Sequence, residues 1–299
     1  AFNPQKALHL YLELEKKRTK VQDSVFAIFE KYDGWYGSKR VDTDHLNSCL
    51  ITTRNKRAIP SMISFSASMF RNEVDNNIDL KGQLIFEILV RDTPVFKDLN
   101  GILNRSKAPC QAKGAYLMVH DFVPEGKAYM PFLDRYKLAR KYVTQLADPK
   151  VILAPIINVG EYRVVQSEAE AIWARVDPGR SKEGAIGKKV DAPYEEGKKN
   201  ASIIKVKCEV TLEMVVVGWE KGQGKYVHTL GKLIVQQANG TQHSVSGMSD
   251  DERDAWAHDF SQISGAVVEI QAMQVLPNGS LREGRFKCIR HDKDVSEID

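Results

Sequence analysis

The stretch Phe29-Glu30-Lys31-Tyr32-Asp33-Gly34 places a lysine, an aspartate and a turn-forming glycine at the end of an apolar run. Residues 25–29 (VFAIF) have the composition of a buried strand. Glycine lets the backbone bend away from the strand, so the Lys31 amine is expected to project into a cleft. From this stretch alone, an ordinary strand-to-turn junction with a surface lysine is an equally good interpretation, because a short motif needs its context.

The composition of the 299-residue chain is that of a globular protein with room for one large domain or two. Net charge is only +4, so attraction to a polyanion must come from where the charges lie. The four cysteines form no C-x-x-C pair, which argues against a zinc site or a disulfide scaffold and indicates a reducing compartment. The N-terminus has no apolar signal segment and no stretch approaches ~20 apolar residues, so we expect a cytoplasmic protein with no membrane association.

Strands and helices alternate in the predicted structure of the first two thirds of the chain. Asn3-Pro4 and the apolar positions that follow predict a helix up to residue 18. The alternation indicates a mixed sheet in an α+β or α/β core. The other predicted elements are strands at 84–90, 116–123 and 151–159 and helices at 131–146 and from a capping box at Ser167 onward.

Two of these apolar runs contain isolated polar side chains. Glu87 interrupts the first run, and because an unpaired buried charge is costly, it has a partner or faces a cleft. His120 and Asp121 stand toward the end of the second run, where a lone histidine is more often structural than functional. The polar loop at 52–56 is consistent with plain solvation, and loop 92–113, rich in Lys, Arg and Asn, is equally consistent with a binding contact or a surface excursion.

Seven lysines fall between Ser181 and Lys207. Alternation in the sequence at 203–207 (IIKVK) puts Lys205 and Lys207 on the same face of a strand. A row of amines on one face requires anions opposite, and phosphates supply them, balanced by metal and carboxylates. A solvated basic hairpin is the alternative interpretation.

The pattern of the chain changes near Cys208, where we place a domain boundary. Five short predicted strands follow, with one helix opened by a capping box at Ser249–Glu252 and a hairpin turn at Pro277-Asn278-Gly279. This content and size are typical of an OB-fold, a barrel that binds oligonucleotides. The chain ends in a basic strand and tail.

The order and spacing of these motifs resemble the ATP-dependent DNA ligases, which are covalent nucleotidyltransferases, and within them the short two-domain ligases of tailed bacteriophages. The K-x-D-G element of that family matches Lys31–Gly34. Its Ser-Arg element is similar to Thr53-Arg54, and the strand with its ribose-binding glutamate resembles 85–87. The later matches are E-G-x-x-x-K at Glu183–Lys188, K-x-K at Lys205–Lys207 and R-x-D-K at Arg290–Lys293.

The resemblance implies an α+β protein with a nucleotidyltransferase (adenylation) domain of mixed and antiparallel sheets at 1–207 and a C-terminal OB-fold β-barrel at 208–299. The implied reaction starts when Lys31 attacks ATP and forms lysyl-AMP. AMP then passes to a DNA 5′-phosphate, and the 3′-hydroxyl displaces it and seals the nick. The implied cofactor is Mg²⁺ (or Mn²⁺) and the partner is nicked double-stranded DNA. The phage-like resemblance further implies a monomer acting in replication or repair in a bacterial host cytoplasm.

The resemblance also assigns site residues. The catalytic residues are Lys31, Lys205 and Lys207. The ATP-binding residues are Glu30, Arg54, Glu87, His120, Lys188, Lys205, Lys207, Arg290 and Lys293. The metal ligands are Glu183 and Glu87, and the DNA-binding residues are Lys39, Arg40, Lys198, Lys199, Arg282 and Arg285.

Two positions depart from the family pattern. Tyr36 stands where the family usually has arginine, and His120 takes the adenine-stacking position of a phenylalanine or tyrosine. An mRNA-capping guanylyltransferase or an RNA ligase is the alternative within the superfamily, although Arg285-Phe286 and the phage-like tail favour the DNA ligase. A non-enzymatic nucleic-acid-binding module is a third interpretation, but such a module does not need the constellation around Lys31.

Overall fold

A computed structural model of the chain describes residues 2–10, 21–45, 49–91, 96–106, 111–175, 184–207, 210–275 and 279–299. The chain divides into two compact units, Ala1–Lys207 and Cys208–Asp299. No helix in the described ranges is long and apolar enough to cross a membrane. Each unit packs around buried hydrophobic residues of its own.

The first unit contains two sheets. Its described strands are β1 (Lys6–His9), β2 (Phe26–Glu30), β3 (Trp35–Val41), β4 (Gly82–Val90), β5 (Ala115–Pro124), β6 (Val151–Leu153), β7 (Asn158–Gly160), β8 (Ala185–Lys189) and β9 (Lys199–Val206). One sheet has the order β1-β9-β8-β2-β7 and the other the order β3-β4-β5-β6. The β1–β9 and β5–β6 pairs are parallel, whereas β2, β8 and β9 pair antiparallel, so the sheets are mixed as predicted. The described helices are α1 (Ile63–Asp75), α2 (Phe96–Leu103), α3 (Phe132–Leu146) and α4 (Tyr162–Arg175).

Strand β2 is buried on both faces, which explains why its sequence is a continuous apolar run. Phe26 and Ile28 pack in one core with residues of α4. Ala27 and Phe29 point the other way, into a second core with residues of α3. Packing fixes both faces of β2. It therefore also fixes the position at which the chain leaves the sheet, and Lys31 lies directly after this point.

Three predicted elements of the first unit differ from the structure. Residues 6–9 form a strand instead of a helix, because they pair in parallel with β9, far away in sequence; positions 11–18 of that prediction lie outside the described residues. The predicted strand 151–159 is two short strands separated by Pro155, which cannot donate to a ladder. Helix α4 begins at Tyr162, so Ser167 lies inside the helix and does not cap it. Within loop 92–113 the described part contains helix α2, which was not predicted.

The described part of the second unit contains two small sheets and one α-helix. Its elements are β10 (Val210–Lys221), β11 (Leu230–Gln236), β12 (Gln242–Val245), α5 (Asp250–His258), β13 (Val267–Ala272), β14 (Gln274–Val275), β15 (Leu281–Arg282) and β16 (Arg285–Ile289). The larger sheet has the order β12-β11-β10-β13-β16, and β14 pairs with β15 in the smaller one. An isolated parallel bridge between Ser246 and Arg285 joins the two edges of the larger sheet. Ser249 and Glu252 form the predicted capping box at the start of the helix. The predicted turn residues Pro277 and Asn278 lie outside the described residues.

Candidate active site

A cavity of ≈ 510 Å³ in the first unit gathers side chains from both sheets. Its lining includes residues from the ends of β2 and β9, from β3, β4, β5 and β8, and from the loop after β3. Most of the site residues predicted for this unit meet here. Those that line the cavity are Glu30, Lys31, Arg54, Glu87, His120, Lys188, Lys199, Lys205 and Lys207.

A glycine brings the end of β2 close to the end of β9. The backbone N–H of Lys31 donates a hydrogen bond to the carbonyl oxygen of Gly184 at 2.9 Å. Gly184 has a φ of +100°, and a Cβ atom there would lie 2.1 Å from the carbonyl oxygen of Val206. Only glycine fits this approach. It lets Lys31 share the cavity with Lys205 and Lys207, which lie more than a hundred and seventy positions later.

The lysines of the cavity disfavour one another's charge. Burial is the largest cause that lowers the pKa of Lys205 to about 8, and the neighbouring charges of Lys207, Lys31, Lys199 and Arg54 contribute to the same shift. A bound anion relieves this repulsion, so the cluster has the electrostatics of a phosphate site.

His120 is held by a buried ion network under the cavity. Lys188 Nζ lies 2.8 Å from His120 Nδ1 and 3.4 Å from Asp121 Oδ2. Burial and the Lys188 charge hold the pKa of His120 well below its usual value, so the ring is neutral. Because Lys188 donates to Nδ1, the ring proton is on Nε2. Arg135 of α3 closes the network with two hydrogen bonds to Asp121, at 2.9 Å and 3.2 Å.

The network contains Arg135, which no sequence motif indicates. Arg135 lies fourteen positions from Asp121 on a different element, and no local pattern connects them. Burial lowers the pKa of Lys188 to about 8. Burial opposes ionisation of Asp121, but Lys188 and Arg135 outweigh it and lower the pKa of its carboxyl. The network fixes the position of His120 at the cavity wall.

Tyr36 and Arg54 meet at the cavity beside Glu87. Tyr36 on β3 is directly paired with Glu87 on β4. The guanidinium carbon of Arg54 lies 4.7 Å from the centre of the Tyr36 ring, within the range of a cation–π contact. The position that departs from the family motif is therefore part of the same site.

The structure corrects the predicted role of Lys39 in DNA binding. The Lys39 side chain is 0% exposed, and its Nζ lies 2.7 Å and 2.8 Å from the two carboxylate oxygens of Glu73. Tyr142 of α3 donates a hydrogen bond of 2.5 Å to the same carboxylate. Lys39 is on the inner face of β3. Its ammonium group pairs with Glu73 in the core and cannot contact the phosphates of a DNA duplex.

Two further predicted residues of the first unit, Arg40 and Lys198, do not line this cavity. Arg40 is half-exposed and pairs with Asp42 and Glu125, and Lys198 is exposed. In the second unit Arg290 pairs with Asp292 and Glu213, and Lys293 Nζ lies 3.2 Å from Glu213 Oε1. Arg282 is on β15, and Arg285 on β16 pairs with Glu283. Glu183 lies outside the described residues.

The described residues contain no group of three or more histidine, cysteine or acidic side chains arranged to hold a metal ion. Two carboxylates, Glu30 and Glu87, line the cavity. A site built from one or two carboxylates together with substrate phosphates suits Mg²⁺, which keeps few protein ligands. The donor set therefore fits an ion that arrives with a nucleotide.

Comparisons of sequence connect the chain with DNA ligases. Residues 221–290 match the family described as DNA ligase OB-like domain. The multifunctional non-homologous end joining DNA repair protein LigD of Mycobacterium tuberculosis (strain ATCC 25618 / H37Rv) is 23% identical over 304 residues, covering 92% of this chain and 37% of that protein. A DNA ligase of Methanocorpusculum labreanum is 24% identical over 281 residues, covering 84% of this chain and 50% of that protein. The chain thus spans about a third to a half of the length of these relatives.

Comparisons of structure give the same fold. Pmar-Lig_PreS3 has a TM-score of 0.76 at 23% identity, covering 97% of this chain and 68% of that chain. A Lig E DNA ligase has a TM-score of 0.73 at 20% identity, covering 97% of this chain and 100% of that chain. The ATP-dependent DNA ligase of bacteriophage T7 in complex with ATP has a TM-score of 0.55 at 18% identity, covering 96% and 98%. The predicted α+β fold with an OB-like second unit, and the resemblance to ATP-dependent DNA ligases, are confirmed.

Proposed function

We propose that this chain, with the fold and the relatives of ATP-dependent DNA ligases, seals nicks between 5′-phosphate and 3′-hydroxyl ends of duplex DNA through a lysyl-AMP intermediate. The first unit is then the adenylation domain and the second the OB-fold domain. The observation that carries this proposal is the cavity in which Lys31 meets Glu87, Lys205 and Lys207, because these residues come from distant parts of the chain and supply complementary chemistry.

In the first step the unprotonated Lys31 amine attacks the α-phosphorus of ATP. The N–P bond forms, the bond to pyrophosphate breaks, and the nitrogen releases one proton to solvent. Lys205 and Lys207 stand beside Lys31 in the cavity and offset the negative charge that develops on the phosphate. Phosphoryl transfer depends mainly on positioning and electrostatics. Lys31 is positioned because it directly follows the last residue of the packed strand β2.

The nucleoside part of ATP is assigned to the other side chains of the cavity. Glu87 holds the ribose, and the neutral His120 ring, fixed by Lys188, contacts the adenine. Glu30 and Arg54 complete the ATP-binding residues of this unit. Arg290 and Lys293 of the second unit stay a prediction from the family motif.

Magnesium (or manganese) is assigned to Glu87, and to Glu183 on the sequence motif. A divalent cation bound there would supply positive charge to the nucleotide phosphates. Lys205 and Lys207 add the chain's own positive charge beside the same phosphates.

In the later steps AMP passes to the DNA 5′-phosphate, and the 3′-hydroxyl displaces it. Arg40, Lys198 and Lys199 of the first unit and Arg282 and Arg285 of the second are the DNA-binding residues that remain after the correction of Lys39. They contact phosphates, so recognition of the nick is independent of sequence. We further propose a monomer that works in replication or repair in the cytoplasm of a bacterium, encoded by a phage.

Intact-protein mass spectrometry tests the first step. The protein is incubated with Mg²⁺ and ATP, GTP or NAD in parallel, and we expect the mass of one AMP to be added from ATP alone. Lys31→Ala abolishes the adduct, whereas Lys137→Ala, an exposed lysine on α3, retains it. Sealing of a nicked duplex then tests the substrate. An adduct from GTP would instead identify a capping-type enzyme, and no adduct from any nucleotide would favour a binding module.

A further inference from the structure

Tyr36 is held rigidly at the wall of the nucleotide cavity. It packs against a small apolar cluster made by Ile85, Val123 and Tyr194. Its backbone is fixed in β3, where it pairs with Glu87. Strand pairing and packing together leave the ring little freedom, so it can serve as a support for a neighbouring group.

The Tyr36 hydroxyl lies at the opposite end of the side chain from the backbone, among other hydroxyl groups of the protein. It is buried and makes no hydrogen bond of ordinary geometry among the described residues, although the hydroxyls of Ser38 and Tyr194 are its polar neighbours. Burial raises the pKa of this phenol well above its usual value, so it stays neutral. The part of the side chain that contacts Arg54 is the ring.

Arg54 depends on this ring for its position. It is exposed and lies in a turn, in which Thr53 N–H donates to the Arg57 carbonyl oxygen at 2.8 Å. Among the described residues, the contact that holds its guanidinium is the Tyr36 ring, 4.7 Å from the guanidinium carbon. Arg54 is also the single arginine among the described residues that line the cavity.

The Arg54 charge acts on both sides of the cavity. It is among the neighbouring charges that lower the pKa values of His120 and Lys205. The guanidinium therefore lies close enough to influence the histidine proposed for the adenine and the lysine proposed for the phosphate. A guanidinium in this place can bind a phosphate with two parallel hydrogen bonds, which an ammonium cannot do.

We propose that Tyr36 is a positioning residue that holds the Arg54 guanidinium over its ring and into the nucleotide cavity. This inference rests on the proposed function and explains the departure from the family motif. An arginine at position 36 would add its own positive charge to the cavity. A tyrosine adds none, and instead orders the guanidinium that the loop after β3 supplies.

The test is a double-mutant cycle on nucleotide binding. Affinity for α,β-methylene-ATP, which cannot transfer AMP, is measured by isothermal titration calorimetry on the full chain. The variants are Tyr36→Leu, Arg54→Leu, the double variant and Tyr36→Phe. Arg57→Leu is the matched control, because it removes an exposed arginine from the same turn that does not line the cavity. Circular dichroism verifies that each variant is folded.

We expect Tyr36→Leu to weaken binding by roughly 2- to 30-fold, the range of cation–π energies. Arg54→Leu weakens it at least as much, and the double variant is no worse than Arg54→Leu alone, because the ring acts through the guanidinium. Tyr36→Phe keeps the ring and restores the affinity that Tyr36→Leu loses, and Arg57→Leu binds like the unmodified protein.

Two outcomes would overturn the inference. Independent, multiplicative losses in the double variant would mean that Tyr36 does not act through Arg54. A loss in Tyr36→Phe equal to that in Tyr36→Leu would assign the effect to the hydroxyl. Failure of the proposed function is seen separately, as the absence of an AMP adduct on the unmodified protein incubated with ATP.

Discussion

At the residue scale, Lys205 shows how the cavity lowers the pKa of a lysine. Its amine is half-buried and surrounded by other cations, so part of its population is neutral near the pKa of about 8. An anion beside the amine favours the protonated form and raises this pKa. Nucleotide binding and protonation of Lys205 are therefore linked.

The linkage predicts a pH dependence with a definite sign. Near pH 8, the pKa of Lys205, binding of α,β-methylene-ATP takes up protons, and affinity falls as the pH rises through this value. Calorimetry at pH 8 in two buffers of different ionisation enthalpy measures the uptake directly. Lys205→Met removes part of the uptake, whereas Lys189→Met, on the neighbouring strand and outside the cavity lining, does not. Proton release on binding would contradict the prediction.

Lys39 shows how a single residue can mislead a sequence-based interpretation. Its neighbour Arg40 is half-exposed, while Lys39 is completely buried, because successive side chains of a strand point to opposite faces. A lysine close to a nucleotide motif suggests a phosphate contact. Its partner, Glu73, lies 34 positions away on α1, so the ion pair has no signature in the local sequence.

At the scale of elements, the Lys39–Glu73–Tyr142 cluster joins one strand to two helices. Lys39 is on β3, Glu73 on α1 and Tyr142 on α3, and all three are buried. Burial and the Glu73 charge raise the pKa of Tyr142 well above its usual value, so the phenol stays a donor to the carboxylate. Lys39 and Tyr142 both donate to the Glu73 carboxylate, so their hydrogen bonds form only when all three residues are present.

In this cluster we expect replacement of one charged residue to destabilise the fold much more than replacement of both. Glu73→Leu leaves the Lys39 ammonium buried and unpaired, which we expect to lower the free energy of unfolding by about 3–5 kcal/mol. Lys39→Met together with Glu73→Leu recovers most of the loss, because no charge is left behind. Urea denaturation measures both. Asp79→Asn, which breaks an exposed pair with Lys141, is the control and has little effect. A double variant as unstable as Glu73→Leu would rule out this account.

At the scale of the whole molecule, the division into two compact units, each with buried hydrophobic residues of its own, predicts two unfolding transitions. Glu73→Leu should lower only the transition of the first unit. Ser249→Ala removes the capping box of α5, costs about 1 kcal/mol, and should lower only the transition of the second unit by a few degrees. Differential scanning calorimetry distinguishes these cases. A single transition that both variants shift equally would show that the units unfold together.

The predicted affinity for DNA also belongs to the scale of the whole molecule, because it depends on how charge is distributed along the chain. Net charge is only +4, so binding depends on local groups of cations that contact phosphates. We expect affinity for a nicked duplex to fall steeply with salt and to be the same for different sequences. Lys198→Ala, at an exposed lysine, should reduce the slope of log affinity against log salt by about 1. Fluorescence anisotropy measures the slope, and a strong sequence preference would contradict phosphate recognition.

The sequence by itself determined the features that depend on neighbouring residues. The apolar run before Lys31 predicts a buried strand, and the structure places it between two cores. The alternation around Lys205 and the capping box at Ser249 were predicted for the same reason, since a strand face and a helix start are set by residues a few positions apart. The sequence motifs that contain Glu87 and Lys188 are part of the resemblance to DNA ligases. Most of the site residues predicted for the first unit line the cavity.

The tertiary structure decided what depends on distant partners. Residues 6–9 are a strand because β9 pairs with them, and Lys39 is buried because Glu73 is there to receive it. The contacts of His120 with Lys188 and of Tyr36 with Arg54 likewise join residues that no local pattern connects. Local periodicity decides which face of an element is apolar. Which polar groups meet depends on how the elements pack, because the free energy of burying a charge is set by the partner that the fold brings to it.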